Sequence, residues 1–320
     1  MRKAAEVSRD QSSQTVSIGI PVYNGADYLA ELLDCIAEQT YGDLEIVICD
    51  NASTDETGDI CRRYAARDAR IRYHRNETNI GPLPNFNKAF ELSQGAYFCW
   101  LCHDDLIEPT YVEKCVTILK QNPDVVLAFS DVLYIGPDGS ALPRSAKSGQ
   151  YYCGDEHMTV PGFPAHVAEQ RSRVGRFADL LLRTDGCYES GVVRRHQLAA
   201  TSLQVDFYGG GEVWLMELAM HGRFVMLDEK LFRRRFHPNA SFFVAAEDKD
   251  AWINQAQKEP TKQRKFRWTR AYLDVIGRSP TMTGLERLRC RLLVLDKTFR
   301  GIAHKTLAKG LARTSRRQIA

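Results

Sequence analysis

The feature that most constrains this chain is a regular change of apolar period across its first 130 residues, from short apolar runs to helical spacing and back. Strands are expected at Val16–Ile20, Leu44–Cys49, Ile71–His74, Ala96–Leu101 and Val125–Phe129. Helices are expected between them at Tyr28–Glu38, Thr57–Ala66, Asn85–Leu92 and Tyr111–Lys120. Strands about 25 to 30 residues apart with a helix in each interval are crossover units, so the chain reads as α/β, with a mostly parallel central sheet and helices on both faces. Ligands in such sheets bind beyond the carboxyl ends of the strands. Three polar segments stand there: Pro21-Val22-Tyr23-Asn24-Gly25, Asp50 to Asp55, and His103-Asp104-Asp105.

Two adjacent carboxylates where a buried strand surfaces repel each other, and a hard divalent cation shared with a substrate's phosphates relieves the repulsion. Helix capping is the competing use of Asp104 and Asp105. Asp50 can accept a hydrogen bond from a base imide or a ribose hydroxyl, and Tyr23 can offer its ring to a base. Turn chemistry is the alternative for Asp50, and the better account of Asp55. No Gly-x-Gly-x-x-Gly follows the first strand and no Gly-x-x-x-x-Gly-Lys-Ser/Thr occurs, so phosphate has to be held through metal.

Composition excludes other classes. With 44% hydrophobic and 26% charged residues, the chain is an ordinary globular protein rather than a disordered one. No apolar run approaches the roughly 20 residues that span a bilayer, and the polar start has no apolar signal core. A cytosolic location, extending to the inner face of the cell membrane, is expected. The nine cysteines lie in apolar surroundings and read as reduced core residues. The net charge of +3 hides an asymmetry: residues 262–320 carry 16 Lys/Arg against three Asp/Glu, which leaves the rest of the chain acidic. Leu285, Leu288, Leu292, Leu295 and Phe299 recur there at helical spacing among Arg287, Arg289, Arg291 and Arg300. Such a helix either packs Leu288, Leu292 and Leu295 on the main body or lies on anionic lipid. Nucleic acid is not expected as a partner, because no zinc, helix-turn-helix or aromatic signature accompanies the charge.

The segments Val16 to Asn24, Gln39-Thr40-Tyr41, Leu44 to Asp55, Asn79-Ile80-Gly81, Gly95-Ala96-Tyr97 and Asp104-Asp105 closely resemble the family 2 glycosyltransferases, densely over residues 15–130 and thinly beyond. The resemblance implies a GT-A nucleotide-sugar-binding fold, inversion at the anomeric centre and a Mg2+ or Mn2+ cofactor. It implies a nucleotide site of Pro21, Val22, Tyr23, Asn24, Asp50, Asn79, Gly81 and Asp104, with Asp105 on the metal. His103 departs from the family, which often has a third acidic or hydroxyl residue there. The donor is then a nucleotide-diphosphate sugar, by family habit a UDP-sugar, and the acceptor a glycan or lipid-linked hydroxyl.

Inversion by single displacement needs a carboxylate base. The resemblance assigns it to Glu212, after Gly209-Gly210-Gly211 and ahead of a helix ending in Gly222-Arg223-Phe224; charge complementarity at a helix N-terminus is the other use of an acid there. Leu215, Leu218 and Ala219 are expected to form the packed face of that helix, and Gly211 lets backbone approach a ligand. Arg233 to Ser241 resembles the family's late segment over diphosphate and metal, with His237 as metal or phosphate contact and Arg235 as a diphosphate or acceptor contact. Gly191 with Arg194-Arg195 resembles the segment behind the acceptor pocket. Residues 136–175 read as a loop over the acceptor side.

Cys99-Trp100-Leu101-Cys102-His103 formally matches a haem attachment motif, but an apolar strand is the wrong context, with Cys99 and Cys102 expected on opposite faces, so no haem is expected. An inactive sugar-nucleotide-binding scaffold and a sugar-1-phosphate nucleotidyltransferase are the rival functions. The expected organisation is a polar tail at 1–14, a transferase domain at 15–245 divided near residue 130 into nucleotide and acceptor halves, and a basic helical region at 246–320.

Overall fold

The computed structural model describes residues 14–152, 159–160, 168–170, 172–182, 187–205, 211–240 and 267–299. The first four strands are β1 (Val16–Val22), β2 (Leu44–Asp50), β3 (Ile71–Arg75) and β4 (Tyr97–Trp100). Parallel pairing in the order β3-β2-β1-β4 follows from the intervening helices α1 (Leu29–Ala37), α2 (Thr57–Ala65) and α3 (Pro82–Leu92), each long enough to carry the chain back across the sheet. All of these agree with the sequence expectation to within about three residues.

Beyond β4 the pattern departs from expectation. After β5 (Leu106–Ile107) and α4 (Tyr111–Gln121), the strand expected to end at Phe129 runs on as β6 (Val125–Ile135). It continues because β10 (Arg223–Arg235) pairs along its length, with irregularities near Leu227 and Lys230. A two-stranded sheet, β7 (Tyr151–Tyr152) with β8 (Thr159–Val160), lies in the segment read as loop, and the Tyr151 ring packs 4.6 Å from that of Tyr134. Then come α5 (Arg173–Leu182), a 3-10 turn (Cys187–Ser190), β9 (Val192–Arg194), the short α6 (Arg195–Leu198) and α7 (Gly211–His221). The eight-stranded sheet runs β3-β2-β1-β4-β9-β6-β10-β5, with β9 antiparallel between β4 and β6.

Alternate residues of the strands feed two cores. Ile18, Ile20, Ile46, Ile48 and Cys99 face α1, α2 and α4, whereas Val47, Cys49, Phe98 and Trp100 face α3, α5 and α7. The expected packed face of α7 is too narrow: Val213, Trp214, Leu215, Met216, Leu218, Ala219 and Met220 are all buried, so the helix is enclosed on every side. The helix Arg267–Arg278 closes over it with Tyr272, Val275 and Ile276. The basic C-terminal region thus contributes to the second core.

The last helix among the described residues, 284–299, starts on a capping box in which Thr283 and Glu286 exchange side-chain and backbone hydrogen bonds. Its packing reverses one expectation. Cys290 and Val294 are buried, whereas Leu285, Leu288, Leu292, Leu295 and Phe299 are between 39% and 65% exposed. Among the described residues no helix is long and apolar enough to cross a membrane. The expected N-terminal tail over residues 1–13, and residues 246–266 and 300–320 of the C-terminal region, lie outside the described residues.

Candidate active site

The carboxyl ends of β1, β2 and β4 meet at a cleft of about 420 Å³. Pro21, Val22, Tyr23 and Asn24 form one wall, with the Tyr23 ring 42% exposed at the rim. Asn24 takes a left-handed conformation, φ 49°, which asparagine tolerates, and its side-chain oxygen accepts from the Thr54 amide at 2.8 Å. Gly25 follows because nothing larger fits: a Cβ there would stand 2.5 Å from the His103 ring and 2.6 Å from Val22. This glycine brings His103 against the β1 loop.

Asp50 does not line this cleft. Fully buried, it accepts from the Ser53 amide at 2.8 Å, the Tyr73 hydroxyl at 2.7 Å and Arg75 Nη1 at 2.7 Å. Burial works against its charge, but the bonds from Ser53, Tyr73 and Arg75 outweigh burial and hold the carboxyl below its usual range. With these partners inside the protein, Asp50 anchors the turn after β2 from behind the cleft lining. The neighbouring Asn51 lines the cleft instead. Asn51 donates to Asn79 Oδ1 at 2.8 Å and to the Gly81 carbonyl at 3.1 Å, and accepts from Asn76 at 3.0 Å. Asn76 in turn donates to Asn85, which donates to the Cys49 carbonyl. Asn79 lines the cleft, while Gly81 supports Asn51 through its backbone.

At the other wall stand Cys102, His103, Asp104 and His237. Asp104 and His237 are joined at 3.1 Å, and Tyr28 stacks on the His237 ring with centroids 4.9 Å apart. Burial raises the Asp104 carboxyl, yet the His237 hydrogen bond and the charges of His103 and His237 bring it below its usual value. Asp105 goes the other way, raised by burial and by the Asp104 charge. One of its oxygens accepts from the Arg235 amide at 3.0 Å. Ligand atoms of Cys102, Asp104 and Asp105 lie within 4.8 Å of one another. Two acids whose charges oppose, with a thiol beside them, suit a divalent cation, so the residues present fit the metal expected there. Cys102, beyond the end of β4 rather than within it, was not foreseen as a donor, and His237 reaches this cluster through Asp104.

Arg235 is not available to a ligand. Its guanidinium is buried, donating to the carbonyls of Asp104, Gly136 and Pro137 and to Glu31 at 2.6 Å, and it lies 4.7 Å over the Tyr28 ring. It fixes the Asp104 backbone instead of touching diphosphate, because alternation along β10 turns it inward. Gly191 sits immediately before β9, where a Cβ would meet the Ala128 carbonyl at 3.0 Å. Arg194 caps the end of α4 through the carbonyls of Val125, Leu119 and Asn122, and Arg195 donates to the Ser93 carbonyl after α3.

Glu212 opens the first turn of α7, outside the cleft lining, and accepts from the Tyr272 hydroxyl at 3.1 Å. Trp214, two residues on, packs 5.3 Å from Trp100, whose indole donates to the carbonyl of Phe86 in the cleft wall. Gly211 begins the helix, while Gly209 and Gly210 lie outside the described residues. Sequence reasoning passed over Glu189, in the 3-10 turn before β9. Burial lifts its carboxyl to about 7, with Arg234 opposing; the thiol of Cys102 is raised by burial first, then by the charges of Asp105 and Asp104, with Glu189 adding least.

The same architecture recurs in solved structures. S. aureus TarS in complex with UDP superposes with a TM-score of 0.52 at 18% identity, covering 92% of each chain. The Pyrobaculum calidifontis mannosyltransferase PcManGT, in complex with GDP-Man and Mn2+, gives 0.51 at 16% identity over 97% of this chain and 84% of that one. The fold is thus of the GT-A type. The chain belongs to glycosyl transferase family 2, whose family model matches residues 17–178. An uncharacterized glycosyltransferase of Methanocaldococcus jannaschii is 32% identical over 154 residues, 45% of this chain and 53% of that protein. The chain spans from 14% to 53% of the length of the first curated relatives it matches.

Proposed function

We propose that this chain is an inverting glycosyltransferase, transferring a sugar from a nucleoside-diphosphate sugar, with UDP favoured, to a hydroxyl of a glycan or lipid-linked acceptor. The observation that carries the reading is the meeting, in one cleft, of the Tyr23 ring with Cys102 and Asp104, behind which the buried Asp105 completes an acid cluster. An aromatic face and an acid cluster are what a base and a metal-bridged diphosphate require. Fold neighbours in complex with UDP and with GDP-Man and Mn2+ support the donor class.

Asp104 and Asp105 would hold Mg2+ or Mn2+, which supplies charge stabilisation for the departing diphosphate. His237 keeps Asp104 ionised and oriented, and Tyr23 covers the base. Glu212 is the proposed base on the strength of the family resemblance, taking the proton of the acceptor hydroxyl. The transferase unit is assigned to 15–245, and the setting to the cytosol, extending to the inner face of the cell membrane.

Thermal unfolding against nucleoside diphosphates and their sugars, with and without Mn2+, tests the donor class. A metal-dependent rise in melting temperature with UDP or a UDP-sugar is expected, since a ligand bound only by the native state stabilises it. No shift with any nucleoside diphosphate would refute the proposal.

A further inference from the structure

The helix 284–299 has two unlike faces. On the inner one, Arg287 donates to the carbonyls of Ile276 and Gly277, Cys290 and Val294 are buried, and Lys297 donates to the Leu181 carbonyl. At about 100° per residue these four positions lie together, and Leu285, Leu288, Leu292, Leu295 and Phe299 lie opposite. The helix is therefore fixed to the body by one side while a continuous apolar stripe faces outward. Arg289 and Arg291, both exposed, border the stripe on its two edges, and Asp296 is the acid on the Arg289 edge.

Charge decides the occupant. The sequence from Lys297 to Ala320 contains seven Lys/Arg and neither Asp nor Glu. A second copy of the chain would set two such basic segments side by side, and nucleic acid would leave five large apolar side chains in water. An anionic lipid surface satisfies both requirements, accepting apolar side chains at the headgroup boundary and arginines among its phosphates. We infer that the outer face of helix 284–299 is a docking surface for an anionic phospholipid bilayer, entered by the Leu285–Phe299 stripe and held by Arg289 and Arg291. The inference is independent of the donor chemistry.

The test is flotation of the full chain with vesicles of phosphatidylcholine, alone or with about a third phosphatidylglycerol. The double variant Leu288→Gln/Leu292→Gln removes apolar area at positions 54% and 57% exposed, so folding and UDP binding in solution should be unchanged. Wild-type protein should float with the anionic vesicles, less so at high salt, and the leucine variant should bind at least about tenfold more weakly. Arg289→Gln/Arg291→Gln should weaken binding to anionic vesicles alone. Recovery of wild-type protein in the soluble fraction, equal binding by the folded leucine variant, or a dimer abolished by that variant without vesicle binding would each overturn the inference.

Discussion

Replacing Asp50 separates an anchoring role from a nucleotide-binding one. In Asp50→Ala the buried amide of Ser53 and the hydroxyl of Tyr73 lose their acceptor, and Arg75 loses its carboxylate partner while keeping the Ser53 carbonyl. Each orphaned neutral donor costs about 1–3 kcal/mol. Arg75 is 43% exposed, so water resolvates it and most of the loss rests on the other two. A total of roughly 2–6 kcal/mol is expected from those two donors. Asp50→Asn keeps the shape and should cost less. Combined with Tyr73→Phe in a double-mutant cycle, it should show coupling of about 1 kcal/mol, because both changes break one hydrogen bond. Urea unfolding measures the stabilities, and UDP titration of the folded variants measures binding. If Asp50→Asn unfolds like wild type but binds UDP tenfold more weakly, the carboxylate contacts nucleotide and the anchoring argument fails.

Other sites give separate outcomes. Glu212→Gln should leave UDP affinity intact and lower turnover by about a hundredfold or more; near wild-type turnover in a transfer assay removes it as the base. Gly25→Ala forces a methyl group into the His103 ring and should cost about 1–3 kcal/mol in urea unfolding, with weaker UDP binding. Glu189 binds its proton more tightly folded than unfolded, so its contribution to stability falls as pH rises from its ordinary 4.5 to about 7. Glu189→Gln should remove that fall, at most roughly 3 kcal/mol between pH 4.5 and 7, and a variant with the wild-type pH slope would show that Glu189 is not buried as described.

The elements from β1 to α4, apart from the two-residue β5 that pairs with distant β10, were legible because each is a single amphipathic or apolar unit whose period needs no distant partner. The far half of the sheet was not. β9 has three residues, and β10 reads as a charged segment whose arginines find internal partners, Arg233 on Glu108 and Arg235 on backbone carbonyls. At the site, the rule for strand ends brought Tyr23, Asn24 and Asp104 to the cleft, but it cannot tell Asp50 from Asn51, since adjacent residues at a strand end point opposite ways. Asn85 was hidden inside a helical apolar pattern. On the last helix the leucine spacing drew attention to one face, whereas small Cys290 and Val294 make the close contact on the other.

Titration calorimetry of UDP with Mn2+ present, comparing wild type with Asp104→Asn and Asp105→Asn, tests the acid cluster most directly. Loss of a ligand carboxylate should weaken metal-dependent binding by about tenfold or more in each variant and leave metal-free binding unchanged. Wild-type affinity in both folded variants would contradict the assignment of that cluster to a metal-bridged diphosphate.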